Sequence, residues 1–214
     1  MNKGLLLLIK TIRYFLFRLA ELVKLIKLFF NNLFFPIAYL FYKVSSNKSI
    51  IEIEIKKWIK ELFLENRNNY SNLYNLLTHY PEFRNLFYYR LESYSILIKW
   101  YYPPLKSLHI NTPKIGAGLF IQHGFSTIIA ASEIGENCWI NQQVTIGNRN
   151  KTDCPVIKNN VIIYAGAKII GKVIVGNNVK IGANAVVVKD VPDNSTAVGV
   201  PARNIPKITG YNYS

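Results

Sequence analysis

At 214 residues, half of them hydrophobic, the chain is long enough for one large domain or two small ones and can bury a sizeable core. Its net charge of +14, from 26 Lys and Arg against 12 Asp and Glu, points to acidic partners: nucleic acid, anionic lipid or a polyanionic substrate. The only cysteines, Cys138 and Cys154, lack CxxC spacing, which argues against a disulfide framework or a zinc site and fits a reducing cytoplasm.

Residues 1–47 form the first predicted unit, a basic, apolar helical segment. Lys3, Lys10, Arg13, Arg18, Lys24, Lys27 and Lys43 stand there against Glu21 alone. A membrane span needs about 20 apolar residues. The longest uncharged run, Leu28 to Tyr42, contains Asn31, Asn32 and Pro36, so the pattern reads as one or two amphipathic helices. Lys3 followed by Leu5–Ile9 resembles the start of a signal peptide, but no small-residue cleavage site follows. Two readings stand. The segment packs on the protein or a neighbouring subunit, or residues 1–44 lie on a membrane surface, as basic and aromatic composition favours. On the second reading, removing residues 1–44 leaves a folded, active protein.

Residues 48–106 read as a helical domain. Ile51, Ile55, Trp58, Ile59 and Leu62 fall on one helix face. Pro81 suits the first turn of a following helix, where its missing N–H leaves no bond unmade. Phe83, Leu86, Phe87, Leu91 and Tyr94 continue that helix, and Pro103-Pro104 ends the region.

Over residues 107–192 the period changes to six. Ile128, Ile134, Ile140 and Ile146 keep it, as do Ile157, Ile163, Ile169, Val175, Ile181 and Val187. A second register four residues later holds Val161, Ala167, Val173, Val179, Ala185 and Val191, and Ile115 and Ile121 precede the series one residue out of phase. Such a hexad marks a parallel β-helix, in which three short strands make one triangular coil of about 18 residues. About four coils are expected. Gly135-Glu136-Asn137, Gly176-Asn177-Asn178 and Gly182-Ala183-Asn184 supply corner residues that tolerate positive φ. Ile146 and Ile157 are separated by extra residues, so a loop leaves the prism within Gly147–Pro155. Cys138, four after Ile134, is expected to point inward. Residues 193–214 read as a C-terminal tail. The predicted fold class is α+β: an N-terminal α-helical region followed by a left-handed parallel β-helix.

The stretch Lys114-Ile-Gly-Ala-Gly-Leu-Phe-Ile-Gln-His123 resembles the KIGxGxxxDH motif of serine acetyltransferases. Ile163-Tyr-Ala-Gly-Ala-Lys-Ile-Ile-Gly171 is similar to that family's IGAGAKILG. Ile181–Pro192 and Ala197–Arg203 resemble the closing signature of hexapeptide acyltransferases in general. The resemblance implies acetyl-CoA as co-substrate, no metal, and His123 as the base that takes a proton from an acceptor hydroxyl, a role suited to a side chain titrating near ~6.5. It places Ala165 and Ala183 along the pantetheine arm, and Lys189 and Arg203 at the nucleotide phosphates. The sequence departs from the family at the serine-binding positions. Gln122 replaces the aspartate before the histidine, Ala130-Ala131 replaces a Gly-Glu pair, and no carboxylate stands in Leu108–Asn111. Cys154, beside Asp153, replaces a second histidine, and these two residues are the candidate substrate contacts. The acceptor is therefore L-serine or a surface-polysaccharide sugar. The alternatives are a non-enzymatic β-helix scaffold and a metal-dependent enzyme of the γ-carbonic-anhydrase kind. The latter needs three histidines, and His79, His109 and His123 are all the chain has. Expected partners are a small-molecule or saccharide acceptor and further copies in a homotrimer or a multiple of one. Nucleic acid is not expected. The expected location is the cytoplasm, with peripheral contact to the inner face of a membrane through residues 1–44.

Overall fold

The first helix, α1 (Lys3–Val44), runs unbroken through Pro36. In its second half Asn31, Phe35, Ala38 and Tyr42 recur at helical spacing and are buried. They pack on α2 (Lys48–Glu61) and α3 (Asn69–His79). Phe35 meets Tyr70 and Tyr74 edge to face at 4.8 and 5.1 Å, and the Tyr42 hydroxyl donates to Glu52 at 2.8 Å. Asn31, Phe35, Ala38 and Tyr42 thus tie this half of the helix to the core. This corrects the expectation that residues 1–44 can be removed with the fold intact; the cut must fall before Asn31. The computed structural model describes residues 3–150 and 152–206. The expected tail, 193–214, is corrected in its first part, where Ser195–Val198 and Arg203–Pro206 are strands that extend the last coil, and its residues beyond 206 lie outside the described ones.

Ile51, Ile55, Trp58 and Ile59 form the buried face of α2. The next helix, α4 (Pro81–Leu91), begins on its proline and buries Phe83, Leu86, Phe87 and Leu91. It is shorter than the spacing predicts: Glu92 takes φ 52° and a 3₁₀ turn follows, so Tyr94 leaves the buried face and is exposed. One further turn, α5 (Ile96–Lys99), precedes Pro103-Pro104.

The rest is the left-handed β-helix, with about five coils rather than four. The first face stacks β1 (Leu108–Ile110), β3 (Thr127–Ile129), β6 (Thr145–Gly147), β9 (Lys168–Ile170) and β12 (Val186–Val187). The second stacks β4 (Glu133–Ile134), β7 (Val156–Ile157) and β10 (Ile174–Val175), extended by bridges at Ile115 and Val191. The third stacks β2 (Phe120–Ile121), β5 (Trp139–Ile140), β8 (Ile162–Ile163), β11 (Lys180–Ile181) and β13 (Ser195–Val198). Antiparallel β14 (Arg203–Pro206) pairs with β13. The fifth coil arises because β1 and β13 lie outside the run that keeps the hexad.

The phase also needs one correction. Ile129, not Ile128, points inward: it is buried and pairs with Ile146, while Ile128 is exposed. Extra residues between Ile121 and Ile129 bulge from the prism, and His123 sits in that bulge. The corner residues divide their work. Asn137, Asn178 and Asn184 take φ of 56–57°, and glycine serves close approach instead. A Cβ on Gly135 would stand 2.7 Å from the Lys158 carbonyl carbon, inside contact distance.

The helical domain is locked onto the first coil. Trp58 Nε1 donates to the Leu119 carbonyl at 2.9 Å, and its ring packs edge to face on Phe83 and Phe120. Arg90 reaches from α4 to Glu54 on α2 at 2.6 Å, and to the Ile115 and Gly116 carbonyls at 2.8 Å each. These contacts set the N-terminus of α4 against the His123 bulge.

Candidate active site

His123 follows β2, where each coil turns from the third face back to the first face of the next, here called the return edge. It is exposed and holds φ 64°, left-handed backbone that a non-glycine residue rarely adopts. Gly124 follows at φ 57°. Such strain persists where the surroundings over-determine it, which fixes the direction of the side chain.

The return edge collects three of the expected site residues. Ala165 and Ala183 lie on it in the third and fourth coils, and His123 lies on it in the first. Backbone bonds register the stack: Gln143 N–H donates to the Phe125 carbonyl, Gly166 N–H to that of Gln142, and Asn184 N–H to that of Ala165. With strand spacing near ~4.8 Å, His123 and Ala183 are about 14 Å apart along the axis. Among the described residues, the amides of Ala165 and Ala183 donate to no acceptor. Lys189 and Arg203 stand exposed at the C-terminal end of the prism. Their neighbours are tied together, with Asn204 Nδ2 donating to the Asp190 carbonyl at 3.1 Å.

Asp153 and Cys154 are not brought to this edge by the same chain. Their loop leaves between β6 and β7, where the first face turns to the second. Among the described residues, the side chains of Arg149, Asn150 and Asp153 bond within the loop: the Asp153 carboxylate accepts from Arg149 at 2.8 Å and Asn150 at 3.0 Å, and Asn150 Oδ1 accepts from Thr152 and Asp153 N–H. Cys154 is half-buried. Cys138 is fully buried, and burial pushes its thiol up to about 11, as for a packing residue. Among the described residues no three His, Cys, Asp or Glu gather where they could hold a metal.

Three polar residues at the edge escaped the sequence reading. Glu82, in the first turn of α4, lies against the His123–Gly124 turn; a methyl on Gly124 would stand 3.1 Å from Glu82 Cβ. Burial raises its carboxyl above the usual carboxylate range, and its own backbone N–H and the nearby His123 charge oppose that rise. An acid just inside a helix start, right after Pro81, was the available signal. Asn141 and Gln142 stand on the return edge in the second coil, and Asn141 Oδ1 and Gln142 Oε1 are buried without a partner among the described residues. A buried acceptor without a donor is costly, so these oxygens suit a ligand's N–H or O–H groups.

The bacterial transferase hexapeptide family (six repeats) matches residues 154–189. The serine acetyltransferase of Helicobacter pylori strain 26695 is 48% identical over 98 residues, 44% of this chain and 57% of that protein. The chain thus spans just over half the length of that relative. Two solved structures align over about three quarters of the chain. A serine acetyltransferase in complex with CoA has TM-score 0.61 and 28% identity over 79% of this chain and 74% of its own. The Neisseria gonorrhoeae enzyme in complex with serine has TM-score 0.59 and 26% identity over 74% of this chain and 68% of its own. In repeat, fold and motif, the chain is similar to serine acetyltransferases, and it carries the bacterial transferase hexapeptide repeat over residues 154–189.

Proposed function

We propose that this protein is an acetyl-CoA-dependent O-acetyltransferase with His123 as its base and L-serine as its acceptor. The observation that carries the reading is the return edge: a strained, exposed histidine at one end and two unused backbone amides along it. His123 accepts the hydroxyl proton as the acceptor oxygen attacks the thioester carbonyl, and passes it to the thiolate as the C–S bond breaks. The Ala165 and Ala183 amides bond the pantetheine arm, while Lys189 and Arg203 meet the phosphates. Asn141 and Gln142 accept from the acceptor's N–H or O–H groups. The cytoplasm supplies the thioester and keeps Cys138 and Cys154 reduced.

Asp153 and Cys154 lie on a different edge from His123, so a complete site needs a neighbouring prism to present its loop. A homotrimer or a multiple of one provides that. A second reading of the acceptor, a sugar hydroxyl, is favoured by Gln122, Ala130-Ala131 and Cys154 standing where the family has serine-binding residues. Thiol release from acetyl-CoA, measured with L-serine and with a panel of sugars, decides between them. Serine-dependent release supports the first reading and sugar-only release the second. No release with either overturns both.

Glu82 acts as a positioning residue, holding the imidazolium that forms at His123 during proton transfer. Glu82→Gln is expected to lower kcat about tenfold while the Michaelis constant for acetyl-CoA and the unfolding midpoint stay unchanged. A merely structural Glu82 instead loses stability together with activity.

A further inference from the structure

α1 presents two opposed faces. Asn31, Phe35, Ala38 and Tyr42 face the helical domain. Projected at 3.6 residues per turn, Phe15, Leu19, Leu22, Ile26, Leu33 and Leu40 fall roughly opposite, and every one is exposed. This stripe continues past the point where the helix docks, so it is not an extension of the core face. It spans about a third of the circumference, since Ile12, Leu16, Val23 and Phe30 widen it and are also exposed. No charged residue projects within that span. Lys10, Arg13, Arg18 and Lys24 stand on the opposite half, with Glu21 the one acid.

The stripe joins a second apolar area. Phe34, at its margin, meets Trp100 edge to face at 4.9 Å, and Trp100, Ile96 and Leu97 are all exposed. Exposed apolar surface on this scale marks an interaction site. By length and composition, Ile9–Val44 is also long and apolar enough to cross a membrane. Crossing would carry Phe35, Ala38 and Tyr42 into the bilayer with the helical domain still attached to them. It would also bury Lys10, Arg13, Arg18 and Lys24 within the first half of the helix. A second copy of the helix is a poor occupant, because a seam between two helices is narrower than this stripe.

We propose that α1 lies flat on an anionic lipid surface, its stripe and the Ile96–Trp100 corner inserted and its basic half at the headgroups. The helical domain and the β-helix then stand on the side away from the lipid. An aromatic edge and a basic flank on a wide apolar face are the features such helices use. The proposal stands independently of the acceptor, since no catalytic residue lies on this face.

The test uses the full-length protein and sedimentation with vesicles of phosphatidylcholine alone or mixed with phosphatidylglycerol. The mixed vesicles are expected to bind, and binding should fall as salt rises from about 0.1 M to about 0.5 M. Replacing Leu19→Glu, Leu22→Glu and Ile26→Glu together should cost at least about tenfold in binding. The unfolding midpoint and oligomeric state should not change, because these side chains touch no core. Three results overturn the proposal: undiminished binding by the triple variant; loss of its oligomeric state, which makes the stripe a seam between copies; or retention through high salt and alkaline carbonate, which makes α1 a spanning helix.

Discussion

His123→Ala is expected to lower turnover by about 10²–10⁴, the usual worth of a positioned general base, while the fold stays intact. The side chain is exposed and outside the core, so its removal leaves no cavity and strands no buried polar group. The backbone strain at φ 64° is carried by alanine as by histidine. The Michaelis constant for acetyl-CoA should change little, because the proposed amide and phosphate contacts lie in later coils. His123→Asn is the companion variant, since asparagine tolerates the left-handed region. It should be equally inactive and at least as stable. Steady-state kinetics beside thermal unfolding check both. Should stability fall together with activity in both variants, His123 would be structural and the proposed base would have to be sought elsewhere.

The second large effect is on stability. Arg90→Met is expected to destabilise the protein by about 3–5 kcal/mol, the range for breaking a buried ion pair by removing one partner. Both side chains are nearly inaccessible, at 5% for Arg90 and 1% for Glu54. Without the guanidinium, Glu54 is left uncompensated and the Ile115 and Gly116 carbonyls lose donors. Burial already pushes the Glu54 carboxyl up to about 7, with Arg90 opposing. In the variant that opposition is gone. The folded state then holds a proton that the unfolded chain releases above its ordinary carboxylate range, so stability falls as pH rises from about 4.5 through 7. Denaturant unfolding of Arg90→Met should accordingly show a larger deficit at pH ~8 than at pH ~5. Replacing both residues, Arg90→Met with Glu54→Leu, should recover much of the loss. A single variant within about 1 kcal/mol of wild type would mean the pair does not hold the two parts together.

The β-helix was legible because its period is a direct image of stacking. Every sixth residue must be aliphatic when coil lies on coil, and few other folds impose that. Where the chain bulges, the image blurs. The extra residues around His123 shift the inward position from Ile128 to Ile129, and a hexad drawn through Ile128 misses the slip. The outer coils were undercounted for a related reason, since β1 and β13 pair with neighbours without keeping the spacing. In α1 a single helix carries two faces, one burying Phe35 and Tyr42 and one exposing Leu19 and Leu33. Apolar character on both sides does not say which is core. Of the candidate site, the stacked positions were readable, because positions that recur at one corner share one edge. Glu82 was not, because only docking of α4 through Trp58 and Arg90 brings it to a histidine far along the chain. The partnerless oxygens of Asn141 and Gln142 are likewise a property of burial, which turn residues do not announce.

Transfer of an acetyl group to a hydroxyl is what separates an acetyltransferase from a β-helix scaffold. The most direct measurement follows isotopically labelled acetyl from acetyl-CoA into product by mass spectrometry, with wild type and His123→Ala side by side. The proposed reading predicts label in O-acetylserine with wild type, and label remaining on CoA with the variant. Label appearing only as free acetate, or staying on CoA whatever hydroxyl acceptor is offered to the wild type, would contradict it.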